Sequence, residues 1–271
     1  MLDDLIHSAY VNSHKIHYLS SKRSHAFADT WFDAASPQHF WQRFRYEVLY
    51  KGMTKSGLNP EQPYRCVDIG AGRGVFRHLI EQDTAWIVDC VDLDQQALDD
   101  SLGNRGDNFY YDVFDQHEAM LNKYDGLFLL DVLEHVDDAA AFLDASLTHL
   151  KPGGFFVINV PTPGWLFGRY DQAVGHHKRY QLNDLIAELP RNGISISEVG
   201  YWGPGMIPVL LLRSFLDFFI RDKEKIIRSG FKPPHPLVGW MMLNYFRLDR
   251  WLIANPPTGI GAFVIGRTIK R

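Results

Sequence analysis

Four aspartates, three histidines and a run of glycines in this 271-residue chain have the types and spacing needed to hold a charged nucleoside and remove a proton. Val67-Asp68-Ile69-Gly70-Ala71-Gly72-Arg73-Gly74 reads as a strand running into a glycine turn, with an acid two places before the first glycine. Gly70 and Gly72 allow a tight turn and a close backbone approach to a ligand, because no Cβ intervenes. The dinucleotide fingerprint G-x-G-x-x-G would need glycine where this chain has Val75, which disfavours a pyrophosphate cradle. A carboxylate at the strand end, Asp68, suits a cationic amine and so a cofactor that carries an amino acid. Asp92 ends the next apolar run, where it can accept hydrogen bonds from the two vicinal hydroxyls of a ribose. Asp112, followed by Val113, and Asp131 end the two runs after that. His135, His176 and His177 are the candidates for proton removal, the 176–177 pair foremost, since imidazole titrates near neutral pH. His135 has the alternative task of orienting its loop through a hydrogen bond. His7, His14, His17, His25 and His39 share no ligand spacing.

These residues need a scaffold that gathers strand ends. Apolar runs at 65–69, 85–91, 108–111, 126–130 and 155–160, with helices expected near 75–82 and 95–102, alternate in the way that gives right-handed β-α-β crossovers and a parallel sheet. Ligands in such sheets lie over the carboxyl ends of the strands, near the point where strand order reverses. Before this core, residues 1–36 read as irregular, and Phe40, Trp41, Phe44 and Val48 then recur at helical spacing, either to be buried or to cover the substrate opening. After it, Pro161 to Gly175 is too turn-prone for a long helix and reads as a substrate loop. A helix capped by Asn183 and a strand near 194–201 follow.

The motifs Val67 to Gly74, Val91-Asp92-Leu93-Asp94 and Asp131-Val132-Leu133-Glu134-His135-Val136, followed by Leu150-Lys151-Pro152-Gly153-Gly154, resemble in order and spacing those of the class I S-adenosylmethionine-dependent methyltransferases, over roughly residues 64 to 200. The resemblance implies a Rossmann-like, doubly wound α/β sheet, mostly parallel with an antiparallel last strand, and S-adenosylmethionine as cofactor. It places Asp68, Gly70 and Gly72 along the methionine part, Asp92 at the ribose, and Asp112 with the Val113 backbone at the adenine, with Leu93 packed on the adenine face. Asp131 is expected to help hold the amine. The set Asp131, Glu134 and His135 is similar to an acidic-acidic-histidine triplet of ubiquinone-biosynthetic O-methyltransferases, but its first acid is Asp rather than Glu, and no metal is expected.

The expected organisation is an N-terminal helical cap at 1–60, a cofactor-binding core at 61–201, a helical insertion at 202–259 and a last core strand at 260–271. The insertion stands where the family has a short turn. It holds two amphipathic stretches, one from Met206 with Arg213, Asp217, Arg221 and Glu224 as a polar stripe, the other Leu237 to Ala254. Neither is long and apolar enough to span a bilayer. The insertion suits a substrate lid, a homodimer contact or, through the five Lys and Arg of 221–232, a peripheral contact with an anionic membrane. A net charge of −4 argues against a nucleic-acid partner. No signal-peptide pattern opens the chain, and Cys66 and Cys90 read as reduced core thiols, so a cytoplasmic enzyme is expected. Its expected reaction is methylation, at oxygen foremost, of a small-molecule or lipid-linked acceptor. The competing expectations are a non-catalytic cofactor-binding partner subunit and a cofactor-assisted cyclase or rearrangement enzyme on the same fold.

Overall fold

Short apolar runs bounded by turns form the strands, and their burial shows which are covered on both faces. Strand β2 (Arg65–Ile69) is buried from its second residue onward, as a parallel strand between two helical layers must be. The computed structural model describes residues 15–21, 36–220, 222, 225–226, 235–252 and 255–269. Within them, β2 joins an eight-stranded sheet with β1 (Ile16–Tyr18), β3 (Ile87–Asp92), β4 (Asn108–Tyr110), β5 (Tyr124–Leu130), β6 (Leu150–Pro161), β7 (Ile194–Trp202) and β8 (Gly261–Thr268), in the order β1-β4-β3-β2-β5-β6-β8-β7. Pairing is parallel from β1 through β6, whereas β8 runs antiparallel to both β6 and β7. The expected Rossmann-like sheet with a reversed last strand is therefore present.

Four departures from the sequence expectations have local causes. Residues 1–36 are not wholly irregular: Ile16–Tyr18 pairs with β4, filling an edge that would otherwise leave backbone groups unpaired. The helix expected near 95–102 is only α3 (Gln95–Asp99), capped by the Asp94 side chain accepting from the Ala97 N–H. Asn183 is not a cap, because α6 (Leu182–Glu188) starts one residue before it. The polar stripe of the first insertion helix is cut short, since α7 (Ile207–Asp217) ends at Asp217 and Arg221 and Glu224 lie outside the described residues.

Two apolar layers sandwich the sheet. On one face, α1 (Phe40–Lys55) and α2 (Val75–Asp83) bury Phe44, Leu49, Met53, Phe76 and Ile80 with Trp202 and Phe246. On the other, α4 (Ala139–Leu147) and α6 bury Leu143 and Leu185 with Leu127, Ile158 and Tyr180. Helix α1 is thus a core element at Phe44, whose ring stacks 4.5 Å from Phe246 of α8 (Pro236–Leu252). The second insertion stretch ends at Leu252, and Ala254 lies outside the described residues. Cys66 and Cys90 are free and buried, and burial pushes both thiols up, Cys90 to about 12. Strand order reverses between β2 and β5, so the carboxyl ends of β2, β3 and β5 open onto one crevice.

Candidate functional site

The crevice is a cavity of about 1270 Å³ whose lining includes all the aspartates, glycines and histidines singled out by spacing. Its volume exceeds that of one ordinary ligand pocket, leaving room for a cofactor and an acceptor together. Its floor is the sheet edge. Gly70 has φ +73° and an added Cβ there would stand 2.6 Å from the Val132 side chain. Gly72, at φ +52°, is different: an added Cβ would meet no protein atom within 4 Å, so the turn leaves open space on the side where a ligand would lie.

The floor acids differ in how they are engaged. Asp68 is buried and its Oδ1 has no hydrogen-bond partner. Burial raises its pKa to about 7, against the opposing pull of the Arg45 charge. A buried carboxylate with an open acceptor fits a cationic amine. Asp92 ends β3 with Oδ2 accepting from the Gly72 N–H at 2.7 Å and Oδ1 from the Asp94 N–H at 2.9 Å. Burial still raises its pKa, although both backbone bonds oppose the rise. Each oxygen keeps a lone pair for a hydroxyl donor. Asp112 accepts from the Phe114 N–H, and Leu93, Val113 and Phe114 supply apolar wall beside it. Asp131 sits at φ +60° and already binds Arg45 and the Asn159 amide. Of the two acids expected at the amine, Asp68 therefore has the open acceptor.

The roof is assembled from segments far apart in sequence. The turn 133–135 and the loop 161–180 are tied together by His177 N–H donating to the Glu134 carbonyl at 2.7 Å and Tyr180 O–H to the Leu133 carbonyl at 3.2 Å. This brings His135 and His176 together, ring centroids 4.7 Å apart. Buried Asp171, from α5 (Arg169–Ala173), holds His176 Nδ1 at 2.9 Å, Arg179 Nε at 2.8 Å and the Gly168 N–H at 2.9 Å. Burial alone would raise the Asp171 pKa, but His176 and Arg179 outweigh it and keep it below the usual carboxylate range. An ionised, acceptor-only Asp171 fixes the imidazole proton on Nδ1 and leaves Nε2 as the basic nitrogen. Burial, then the neighbouring His176, pushes His135 down to about 4. His177 is half exposed and pairs with the exposed Asp137 at 2.7 Å, at the rim. The two members of the 176–177 pair thus occupy different surroundings.

Asp171 and Arg45 were not singled out from the sequence. Arg45 carried a signal, because it lies four residues after Trp41 on one helical face and both line the cavity. Asp171 carried none, since nothing in the sequence ties the short helix α5 that holds it to His176, five positions on. Glu134, His135 and His176 bring one carboxylate and two imidazoles within 4.8 Å of one another, with His176 rather than Asp131 completing the group. Glu134 is buried with Oε2 unpartnered, and burial together with the Asp131 charge raises its pKa well above the ordinary value. Phe40 and Trp41 of α1, Leu166, Trp202, Met206 and Leu210 form an apolar stretch of the wall, beside which Arg213, Ser214 and Asp217 are polar.

A family model described as a methyltransferase domain matches residues 40–198. The chain is 27% identical over 138 residues to a ubiquinone biosynthesis O-methyltransferase of Xylella fastidiosa, covering 48% of this chain and 53% of that protein. It is 24% identical over 241 residues to a protein of the same name from a Bradyrhizobium species, covering 80% and 87%. The chain spans about half the length of the first of these relatives. Among solved structures, phosphoethanolamine N-methyltransferase 2 of Haemonchus contortus superposes with a TM-score of 0.53 at 19% identity, over 84% of this chain and 52% of that one. The [4+2]-cyclase SpnF superposes with a TM-score of 0.54 at 15% identity, over 92% and 88%. At these identities the structural likeness is one of fold.

Proposed function

The chain belongs to the class I S-adenosylmethionine-dependent methyltransferases, and from that premise we propose that it is an O-methyltransferase acting on an apolar small molecule, aromatic or lipid-linked, that carries a hydroxyl. The observation that carries the choice of oxygen is the Asp171–His176 pair at the cavity, because a hydroxyl acceptor needs a base and a sulfonium methyl donor does not. When bound, S-adenosylmethionine supplies an activated methyl, which leaves alignment, exclusion of water and proton removal to the protein.

In this reading Asp68 accepts the amine, Asp92 the ribose hydroxyls, and Asp112, Val113 and Leu93 receive the adenine, while Gly70 and Gly72 keep the backbone clear of the methionine part. Asp131 fixes Arg45 at the amine end. His176 Nε2 takes the acceptor's proton, and the resulting imidazolium is stabilised by Asp171 through Nδ1–H. His135, kept neutral by burial, and His177 at the rim position the acceptor. The apolar wall from Phe40 to Leu210 favours an acceptor whose ring or tail is buried, in keeping with the curated relatives named for ubiquinone biosynthesis. No helix among the described residues is long and apolar enough to cross a membrane, and with reduced thiols we place the enzyme in the cytoplasm.

The test is calorimetric titration with S-adenosylhomocysteine followed by product mass analysis on hydroxylated aromatic and lipid acceptors. A gain of one methyl that is lost in His176→Gln, with ligand affinity kept, supports the reading. An isomerised product, or binding with no turnover on any acceptor, overturns it.

A further inference from the structure

The insertion helices present apolar faces to water, and the first of them is amphipathic in the reverse sense for a surface helix. Helix α7 directs its polar residues inward: Asp217 is buried, Arg213 lies 3.8 Å over the Tyr170 ring, and both line the cavity with Ser214 and Leu210. Arg169 closes the end of the helix by donating to the Asp217 and Phe218 carbonyls. What faces out is Leu211, Leu212, Phe215 and Leu216, continued by Phe218 and Phe219 beyond the helix. Phe215, Phe218 and Phe219 are each more than three-fifths exposed, and Phe219 packs edge to face on Phe215 at 5.3 Å and on Phe218 at 5.5 Å. A soluble surface helix does the opposite.

Helix α8 also presents an apolar face, although Met242, Leu243 and Phe246 make its inner side apolar too and Arg247, paired with Glu47 of α1, is exposed. Phe246 and Asp249 are buried, Asp249 accepting from the Gly205 N–H, whereas Leu237, Val238, Trp240, Met241, Leu248 and Trp251 are exposed. Trp240 and Trp251 are both more than three-fifths exposed, eleven residues apart on one helix. Both helices pack against the turn Pro204–Met206, and Met206 itself lines the cavity. The sequence joining them, 221–232, carries five Lys or Arg against Asp222 and Glu224.

We propose that the outer faces of α7 and α8 are a docking surface for an anionic lipid bilayer, which seats the rim of the cavity on the membrane. Two features favour a bilayer over a second copy of the chain. From Leu211 of α7 to Phe219 just beyond it no charged side chain is exposed to set the register of a protein partner, and the exposed Arg247 of α8 is already paired with Glu47 of α1. The five Lys and Arg of 221–232, the sequence that joins the two helices, complement an anionic headgroup layer, and tryptophan flanking is what an interfacial helix uses. One side of α7 would then contact lipid while its other side lines the cavity, so an acceptor with an apolar tail could pass from one to the other. That delivery role rests on the transferase reading above, whereas the docking itself does not.

Flotation of the full chain with phosphatidylcholine vesicles, with and without phosphatidylglycerol, tests it. The wild type is expected to float with the phosphatidylglycerol vesicles, less with phosphatidylcholine alone, and to be released in part by salt. The double variants Phe215→Ser with Phe219→Ser, and Trp240→Ser with Trp251→Ser, are each expected to lower partitioning by about tenfold or more. Unchanged S-adenosylhomocysteine affinity in both shows that they fold. A wild type that floats with neither vesicle, or variants that float as well as it does, overturns the proposal. So does a lipid-free dimer in light scattering that the phenylalanine variant splits, which would assign the face to a second copy. Flotation without methyl transfer to any acceptor would leave the docking surface standing and remove the transferase reading.

Discussion

The floor and the roof of the cavity are built by different rules. The floor is the carboxyl edge of β2, β3, β4 and β5, where Asp92 is held by the Gly72 and Asp94 N–H groups and Asp112 by that of Phe114, all within a few residues of a strand end. Their positions follow from the sheet. The roof gathers α1, the 133–135 turn, the 161–180 loop and α7, and it is held by side-chain bonds that cross long stretches of chain, such as Arg45 to Asp131 and Tyr180 to the Leu133 carbonyl. A floor set by the sheet suits the part of a reaction that does not vary, the cofactor. A roof pinned at a few polar nodes suits the part that does, the acceptor and its proton.

The comparison breaks if a roof substitution changes cofactor affinity or a floor substitution changes turnover alone. The largest effect is expected for His176→Gln, which should lower kcat by roughly 10²- to 10⁴-fold, the usual worth of a general base, while S-adenosylhomocysteine affinity changes little. Single-turnover methyl transfer beside calorimetry checks both halves. A parallel loss of affinity would move His176 into the cofactor site. Next comes Asp92→Ala, which removes charge-assisted bonds to two hydroxyls, each worth about 1.5 to 3 kcal/mol, and leaves the Gly72 N–H without its acceptor. Affinity should fall by roughly 10²-fold or more, and an unchanged Kd would sink the ribose assignment. Asp171→Asn should cost roughly ten- to a hundredfold in kcat, because an amide lets the imidazole proton sit on either nitrogen. A structural role alone would not move the pH–rate profile, so a shifted acidic limb separates positioning from folding. Chelation before assay should leave the rate unchanged. A loss restored by added Mg²⁺ would instead make Glu134, His135 and His176 a metal site.

Sequence made the floor legible because parallel strands write their positions locally. Apolar runs ending in Asp68, Asp92 and Asp131 mark strand ends, and the glycine turn marks where a ligand approaches. The reversed pairing of β7 with β8 was legible through the family resemblance, since two β-rich runs either side of a long insertion do not by themselves fix strand direction. The roof was legible only in fragments. His135 and His176 are forty-one positions apart and meet because the Glu134 and Leu133 carbonyls accept from His177 and Tyr180, a tie with no period in the sequence. Asp171 lies in the short helix α5, inside a connection whose glycines and aromatics announce a turn but not its path. The stripes of the insertion were visible as amphipathic, yet which side faced inward was not. Period gives the angle between two faces, and only the tertiary partner, here Tyr170 beneath Arg213, decides which is covered.

The smallest expected effect sharpens the floor itself. Burial raises the Asp68 carboxyl to about 7 in the cofactor-free protein, so below that pH the group that should meet a cation is protonated. A ligand amine binds the carboxylate, and binding must then expel a proton. Affinity should therefore weaken as pH falls through about 7, by at most tenfold per unit, and level off above it until the ligand's own amine begins to lose its proton near about 8. Stability runs the other way. The folded carboxyl holds its proton more tightly than the unfolded one, so this contribution is full below the unfolded value of about 4 and is lost as pH rises through about 7. Titration of S-adenosylhomocysteine at about pH 6, in two buffers of different ionisation enthalpy, reads the released proton directly. Asp68→Asn should abolish both the proton release and the pH dependence while leaving the Asp92 contacts in place. A wild type that binds at this pH without releasing a proton would place the amine elsewhere, with Asp131 the next acid along the same edge.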